Sequence, residues 1–109
     1  MKAPRASKYS NVKTVVDGIT FDSKAEAKRW GELLLLERCK LIEDLQRQVS
    51  FPIVWNGVKI TTYKADFVYV DISKNKRIVE DVKGAKTAVY RIKAKLMAAQ
   101  GLSITEVKA

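Results

Sequence analysis

The sequence of 109 residues contains no histidine and only one cysteine. Without histidine, a Ser-His-Asp triad, a Cys-His pair, a His-Cys zinc site and an imidazole base are all excluded. With one cysteine, Cys39, an intrachain disulfide is excluded as well. Because Cys39 lies in a leucine-rich stretch, we predict that its thiol is buried. Any catalysis must therefore use carboxylates, lysine, tyrosine, serine or threonine.

Long apolar runs are also missing from the sequence. The longest run, Leu33 to Leu36, is far shorter than the ~20 residues that a membrane-spanning helix needs, and the N-terminus has no signal-peptide pattern. We therefore expect a cytoplasmic protein. The length and the apolar content of 47% predict one folded domain rather than a disordered chain.

Acidic residues are absent from two segments, residues 1–16 and residues 82–105. The whole chain carries 21 Lys and Arg against 12 Asp and Glu, a formal net charge of +9, and these two segments contain the entire excess. We expect a flexible basic arm over residues 1–11 and a single domain over residues 12–109. The localised charge predicts a polyanionic partner, although a solubilising surface with a basic tail is the alternative.

Secondary structure follows from turn, cap and periodicity signals. Asp17-Gly18 and Asn56-Gly57 predict tight turns, and Ser23 and Thr87 predict helix N-caps. The predicted order is a hairpin over 12–21, a helix over 24–40, strands over 46–55, up to 70 and over 77–82, a helix up to 100 and a strand over 102–107. The apolar face predicted for the second helix contains Val89, Ile92, Leu96 and Ala99. This order predicts an α/β fold whose mixed sheet has helices on both faces.

Two aspartates are predicted to meet on neighbouring strands. Side chains alternate along a strand, so one face should present Tyr63, Ala65, Phe67 and Tyr69, and the other Lys64, Asp66, Val68 and Val70. A turn centred between residues 73 and 74 would pair Val68 with Val79 and Asp66 with Asp81, with Lys83 on the same face.

Directly opposed carboxylates repel each other by about 3 kcal/mol at an effective dielectric constant near 20. A divalent cation would remove this repulsion, and oxygen-only ligands favour Mg²⁺ or Mn²⁺ over zinc or copper. The alternative is an exposed strand face with ordinary charges. Glu80 is predicted to face the opposite side, as a surface or ion-pair residue.

These motifs resemble those of a known superfamily. Asp66 followed by Asp81-Val82-Lys83 across a strand-turn-strand interval, in an αβββαβ order, resembles the PD-(D/E)XK nucleases with their restriction-endonuclease-like fold. The chain is also similar, over most of its length, to a group of phage-encoded proteins of that superfamily without an assigned role. The segments that carry this similarity are Tyr9-Ser10-Asn11, Asp17-Gly18, Phe21 to Ala27, Ala65-Asp66-Phe67, Glu80 to Gly84 and Thr87 to Lys95. Ala65 stands where the superfamily motif has proline, a position without a chemical role.

The resemblance implies hydrolysis of a DNA phosphodiester bond. Asp66, Asp81 and the carbonyl of Val82 would hold Mg²⁺ or Mn²⁺, and Lys83 would stabilise negative charge or orient a water molecule. Glu26, on the first helix, would complete the site, although the same residue is predicted to form a capping box with Ser23.

Basic residues near this site are predicted to hold DNA phosphates. They are Lys86, Arg91 and Lys95 around the second helix, with Lys8 and Lys13 near the arm. Tyr90 could stack on a base or pack internally. A small chain without a separate recognition domain resembles a structure-directed, phage-encoded enzyme, such as a Holliday junction resolvase, and paired cuts would favour a homodimer.

The sequence also allows a second function. The basic arm and the second helix, together with an aromatic strand face formed by Tyr63, Phe67 and Tyr69, could form a nucleic-acid-binding module without catalysis.

Overall fold

The computed structural model describes residues 13–109. The arm predicted over residues 1–11, which includes Lys8, lies outside the described residues, as does Val12. The elements are β1 (Thr14–Val16), β2 (Ile19–Phe21), α1 (Lys24–Arg38), β3 (Ile42–Trp55), β4 (Val58–Asp71), β5 (Lys76–Lys83), α2 (Ala88–Ala99) and β6 (Ile104–Lys108). The predicted α/β class and element order are confirmed, although β3 begins earlier than predicted, at Ile42.

The strands form a small hairpin and one mixed sheet. β1 and β2 pair antiparallel, and the four-stranded sheet has the order β3-β4-β5-β6. β3, β4 and β5 are antiparallel neighbours, whereas β6 runs parallel to β5. The connection between the parallel neighbours β5 and β6 contains α2, as parallel pairing requires a crossover. Neither helix within residues 13–109 is long and apolar enough to cross a membrane.

The predicted turns and caps are present. Asp17 and Asn56 have φ of 51° and 49°, and the glycines that follow them have φ of 78° and 76°. These are the left-handed conformations that a two-residue hairpin turn requires. The hydroxyls of Ser23 and Thr87 accept hydrogen bonds from the backbone N–H three residues later, at 3.1 Å in both cases.

The first helix covers one face of the sheet. Ala27 and Leu33 of α1 are buried with Phe67 and Tyr69 of β4. The indole of Trp30 stacks on the ring of Phe67, with 5.8 Å between centroids. The prediction that Cys39 is buried is wrong: it is the C-cap of α1 and is exposed. The chain leaves the helix there, so the leucine-rich sequence around Cys39 does not bury it.

The second helix covers the other face, but with a different rotation from the predicted one. Tyr90 and Met97 are buried against Val68 and Val79. Val89 and Ile92, predicted on the apolar face, are 62% and 59% exposed. The large side chains of Tyr90 and Met97, seven residues apart, fill the available depth, and the Tyr90 hydroxyl donates to Glu106 on β6 at 2.8 Å. These contacts fix the helix face that meets the sheet.

The alternation of side chains along β4 is interrupted at Asp66. Tyr63 and Ala65 pack in the α2-side cluster with Val68, whereas Phe67 and Tyr69 pack in the α1-side cluster. The predicted common face of Tyr63, Ala65, Phe67 and Tyr69 is therefore wrong. Pairing with β3 joins Arg47 to Phe67 and Val49 to Ala65 but skips Gln48 and Asp66 between them. A local irregularity of this kind lets a strand redirect its side chains.

Candidate metal and phosphodiester site

The predicted register of the central strands is confirmed. Val68 pairs with Val79, and the last pair of the β4–β5 ladder is Phe67 with Glu80. The next step along both strands brings Asp66 beside Asp81, and their carboxyl groups hydrogen-bond to each other. The two aspartates therefore lie on one face, as predicted from the turn length.

Further polar contacts hold this pair in place. The backbone N–H of Val82 donates to Asp66 Oδ2 at 2.9 Å. The Tyr63 hydroxyl donates to Asp81 Oδ2 at 2.8 Å, and Lys83 Nζ lies 3.4 Å from the same oxygen. The Lys83 ammonium group also lies 4.2 Å from the ring centroid of Tyr90. Asp81 and Lys83 are thus adjacent, whereas the predicted role of the Val82 carbonyl stays a prediction.

The electrostatics of the pair favour a bound proton at neutral pH. Burial, with the neighbouring Asp81 carboxyl, raises the pKa of Asp66 to about 8. The N–H of Val82 opposes this shift because it stabilises the charged form, but its effect is smaller. Two close carboxyl groups cannot both ionise easily, so a proton on Asp66 relieves the repulsion in the absence of a cation.

The carboxylate of Glu26 contacts β3 rather than its own helix cap. Its backbone N–H bonds to Ser23 Oγ, but its carboxylate accepts from Gln48 Nε2 at 3.2 Å and lies 3.9 Å from a guanidinium nitrogen of Arg47. Only 5% of Glu26 is exposed. Burial raises the pKa of Glu26, and the charges of Asp22 and Asp81 raise it further. The backbone half of the predicted capping box is therefore present, whereas the catalytic role of the Glu26 carboxylate stays a prediction.

A cavity of about 360 Å³ opens at the aspartates. Its lining includes Asp66, Asp81 and Lys83 of the predicted catalytic residues but not Glu26, and it includes Tyr90. The lining residues that were not predicted as catalytic or phosphate-binding residues are Asp22, Gln48, Thr62, Tyr63, Lys64, Val89 and Lys93. Lys93 Nζ donates to the Thr62 carbonyl at 3.0 Å, which ties α2 to β4 at the cavity. The sequence signal that could have predicted Lys93 at the cavity is its helical spacing from Tyr90, which places both residues on one side of α2.

The other predicted phosphate-binding residues lie outside this cavity. Arg91 and Lys95 are exposed, and they do not line it. Lys86 Nζ forms an ion pair with Glu106 at 2.7 Å, and Lys13 Nζ forms one with Asp22 at 3.3 Å. Tyr90 packs internally, with 7% exposed. The roles of these cations in phosphate binding stay predictions.

Glu80 faces the opposite side of β5, as predicted, and is an ion-pair residue. Arg29 of α1 contacts both its carboxylate oxygens, at 2.7 and 3.0 Å, and the Tyr69 hydroxyl donates to one of them at 2.6 Å. The expectation that it could be a surface residue is wrong, because Glu80 is 0% exposed.

Comparison with known proteins identifies the family of the chain. Residues 6–108 match the model described as a protein of unknown function, DUF1064. The chain belongs to the DUF1064 family. No curated protein and no solved structure gives a significant match. The DUF1064 match spans Glu26, Asp66, Asp81 and Lys83 without assigning a role to any of them.

The donor set of this DUF1064 chain fits a hard divalent cation held by few protein ligands. Within residues 13–109, no group of three or more His, Cys, Asp or Glu residues is close enough together to hold a metal ion by itself. Mg²⁺, however, usually binds through one or two carboxylates and keeps several water molecules. The close, partly buried pair of Asp66 and Asp81, with the raised pKa of Asp66, supplies two such oxygen donors once its proton is lost.

Proposed function

We propose that this protein is a metal-dependent endonuclease that hydrolyses phosphodiester bonds in DNA. The observation that carries the proposal is the juxtaposition of two carboxyl groups, Asp66 and Asp81, with the ammonium group of Lys83 in one open cavity. Carboxylates provide hard ligands, and a lysine beside them can stabilise an anionic phosphate.

Each residue has a distinct part in this proposal. Asp66 and Asp81, with the Val82 carbonyl, would hold Mg²⁺ or Mn²⁺. The cation, when bound, polarises a phosphate and lowers the pKa of a coordinated water molecule. Lys83, whose Nζ lies 3.4 Å from Asp81, stabilises the negative charge that develops on the phosphate. Glu26 would add a further carboxylate near the pair, since its negative charge contributes to the raised pKa of Asp66.

The surroundings of the site support a polyanionic substrate. The net charge of +9 favours association with nucleic acid. Lys64 and Lys93 line the cavity beside Lys83, and cations in these positions contact phosphates rather than bases. A structure-directed activity on branched DNA, such as a Holliday junction, belongs to this proposal, as do a homodimer that makes paired cuts, a phage origin and action in the cytoplasm of a bacterial host.

A second candidate is a nucleic-acid-binding module without catalysis. It is favoured by Arg91 and Lys95, whose exposed side chains have no hydrogen-bond or ion-pair partner within residues 13–109. The aromatic strand face considered for this function cannot stack on bases, because Tyr63, Phe67 and Tyr69 are all buried. The basic arm and α2 would then carry the binding.

Cleavage assays separate the two candidates. Supercoiled, linear, single-stranded and four-way-junction DNA are incubated with the protein in Mg²⁺, in Mn²⁺ and in EDTA. We expect metal-dependent cleavage of at least one substrate, and a loss of about 10²-fold or more in Asp81→Asn and Lys83→Ala, because each removes a group that stabilises the transition state.

Two residues away from the cavity on the same strands provide matched controls. Asp71→Asn at the end of β4 and Lys76→Ala at the start of β5 make the same chemical changes away from the cavity, and both should cleave as the unaltered protein does. Binding in EDTA without cleavage in either metal would refute the enzyme and support the binding module.

A further inference from the structure

Gln48 adopts a backbone conformation that its own side chain disfavours. Its φ is 52°, within the left-handed region that residues other than glycine, asparagine and aspartate rarely occupy. Asp17, Asn56 and Asn75 share this conformation but lie in turns, where it is expected. Gln48 lies instead within β3. Conformations of this kind persist only where the surrounding structure imposes them, and they cluster at functional sites.

The irregularity at Gln48 redirects β3 at the level of the carboxylates. Before it, the Arg47 guanidinium group lies over the Phe21 ring on the α1 side, at 4.7 Å from the centroid. After it, Val49 packs against the cluster on the α2 side. The β3–β4 pairing skips Gln48 together with Asp66. The strained residue and the candidate metal ligand therefore face each other across the same gap in the ladder.

The side chain of Gln48 connects this gap to Glu26. Its amide Nε2 donates to Glu26 Oε1 at 3.2 Å, and Gln48 lines the cavity that contains Asp66 and Asp81. The hydrogen bond from Gln48 and the charge of Arg47 both favour the ionised form of Glu26, against its burial. Of these two neighbours, Gln48 reaches the carboxylate at hydrogen-bond distance, whereas the Arg47 nitrogen is 3.9 Å away.

We propose that Gln48 is a positioning residue that holds the Glu26 carboxylate toward the Asp66–Asp81 pair, and that the strained backbone of β3 is retained because it places this amide in the cavity. The inference rests on the proposed metal site. Groups that orient metal ligands typically change metal affinity or activity by about 10- to 100-fold when they are removed.

The test uses the full chain and measures stability and Mn²⁺ binding separately. In Gln48→Gly, glycine accepts the positive φ without strain, and this gain offsets the lost hydrogen bond to Glu26, so we expect the melting temperature of the metal-free protein to stay close to that of the unaltered protein. Mn²⁺ affinity, measured by calorimetry, should fall about 10-fold because the Glu26 carboxylate is no longer held. Gln48→Asn, which tolerates the same φ but is one methylene shorter, should lose affinity in the same way.

Asp44 provides a matched control on the same strand. Its φ is 56°, and its side chain, like that of Gln48, takes part in one side-chain hydrogen bond, which the Asp44 carboxylate accepts from Gln46 at 3.2 Å. Unlike Gln48, Asp44 is exposed and does not line the cavity. Asp44→Gly should therefore relieve strain and leave Mn²⁺ affinity unchanged. A lower melting temperature with unchanged affinity in Gln48→Gly would overturn the proposal, as would an equal loss of affinity in both glycine variants.

The outcome for Gln48 is distinguishable from that for the enzyme. If the unaltered protein binds Mn²⁺ but cleaves no DNA, the proposed function fails, and the affinity of Gln48→Gly still tests the positioning role. If the unaltered protein does not bind Mn²⁺ at millimolar concentration, the positioning role is refuted together with the metal site.

Discussion

Two acidic residues next to each other on β5, Glu80 and Asp81, have opposite environments. The Glu80 carboxylate, on the α1 side, is completely buried and receives a bidentate contact from Arg29 and a hydrogen bond from Tyr69. Asp81, on the α2 side, has an acidic neighbour, Asp66, and a cation, the Lys83 ammonium group, at 3.4 Å. The Glu80 carboxylate is neutralised by Arg29 within the fold. Asp81 instead adjoins Asp66, whose carboxyl group favours a bound proton or a cation.

This difference separates a structural site from a functional one. A buried ion pair with good geometry and satisfied hydrogen bonds has no remaining capacity to bind a ligand. A close pair of carboxyl groups is destabilising by itself and becomes favourable when a cation binds. Since β5 alternates its side chains, a single strand supplies both environments, and the Arg29–Glu80 contact fixes the position of Asp81 relative to α1.

The largest effect should come from removing the cation on the structural side. Arg29→Met leaves Glu80 buried without its ion-pair partner, and we expect the free energy of unfolding to fall by about 3–5 kcal/mol, measured by urea denaturation at pH 7. Lys28→Met, an exposed change on the same helix, is the control and should alter stability little. A second change, Glu80→Gln, should recover part of the loss because it removes the unpaired charge. No recovery would indicate that Arg29 stabilises the fold through packing alone.

A smaller difference is expected between two tyrosines. Tyr69→Phe removes the hydroxyl that donates to Glu80 at 2.6 Å, and a hydrogen bond to a charged group contributes about 1.5–3 kcal/mol. Tyr63→Phe removes the equivalent hydroxyl from Asp81, bonded at 2.8 Å. We expect a smaller loss of stability there, because Asp81 lines an open cavity where water can replace the hydroxyl. Equal losses in the two variants, measured by thermal and urea denaturation, would contradict the proposed difference between the two sides.

Much of this arrangement could be predicted from sequence because it depends on local signals. The dipeptides Asp17-Gly18 and Asn56-Gly57 determine turn type, and Ser23 and Thr87 determine where the helices begin. The length of the β4–β5 turn was sufficient to set the register of Val68 with Val79 and thus the meeting of the two aspartates.

The features that could not be predicted depend on contacts between distant segments. Arg29 and Glu80 are 51 positions apart, and no local pattern indicates that they meet. The rotation of α2 follows from the fit of Tyr90 and Met97 to the sheet rather than from the Val89–Ile92 pattern. The positive φ of Gln48 has no sequence signal either, because glutamine is not a residue that favours this conformation.

The most direct test of the functional side is the dependence of stability on pH. The pKa of Asp66 is raised from 3.8 to about 8 in the folded protein. Between these values the folded state holds a proton that the unfolded state has lost, so stability decreases as pH rises from about 4 to 8 and changes little from this group above that range. Asp66→Asn, which cannot ionise, should lack this part of the decrease. At pH 9 we expect the variant to be more stable than the unaltered protein, because the like-charged pair is removed. Urea denaturation at pH 5, 7 and 9 without metal measures this difference, with Asp71→Asn, at the end of β4 and away from the cavity, as the control. Parallel pH profiles for Asp66→Asn and the unaltered protein would mean that the pKa of Asp66 is not raised in the folded protein, which would contradict the proposed difference between the two sides of β5.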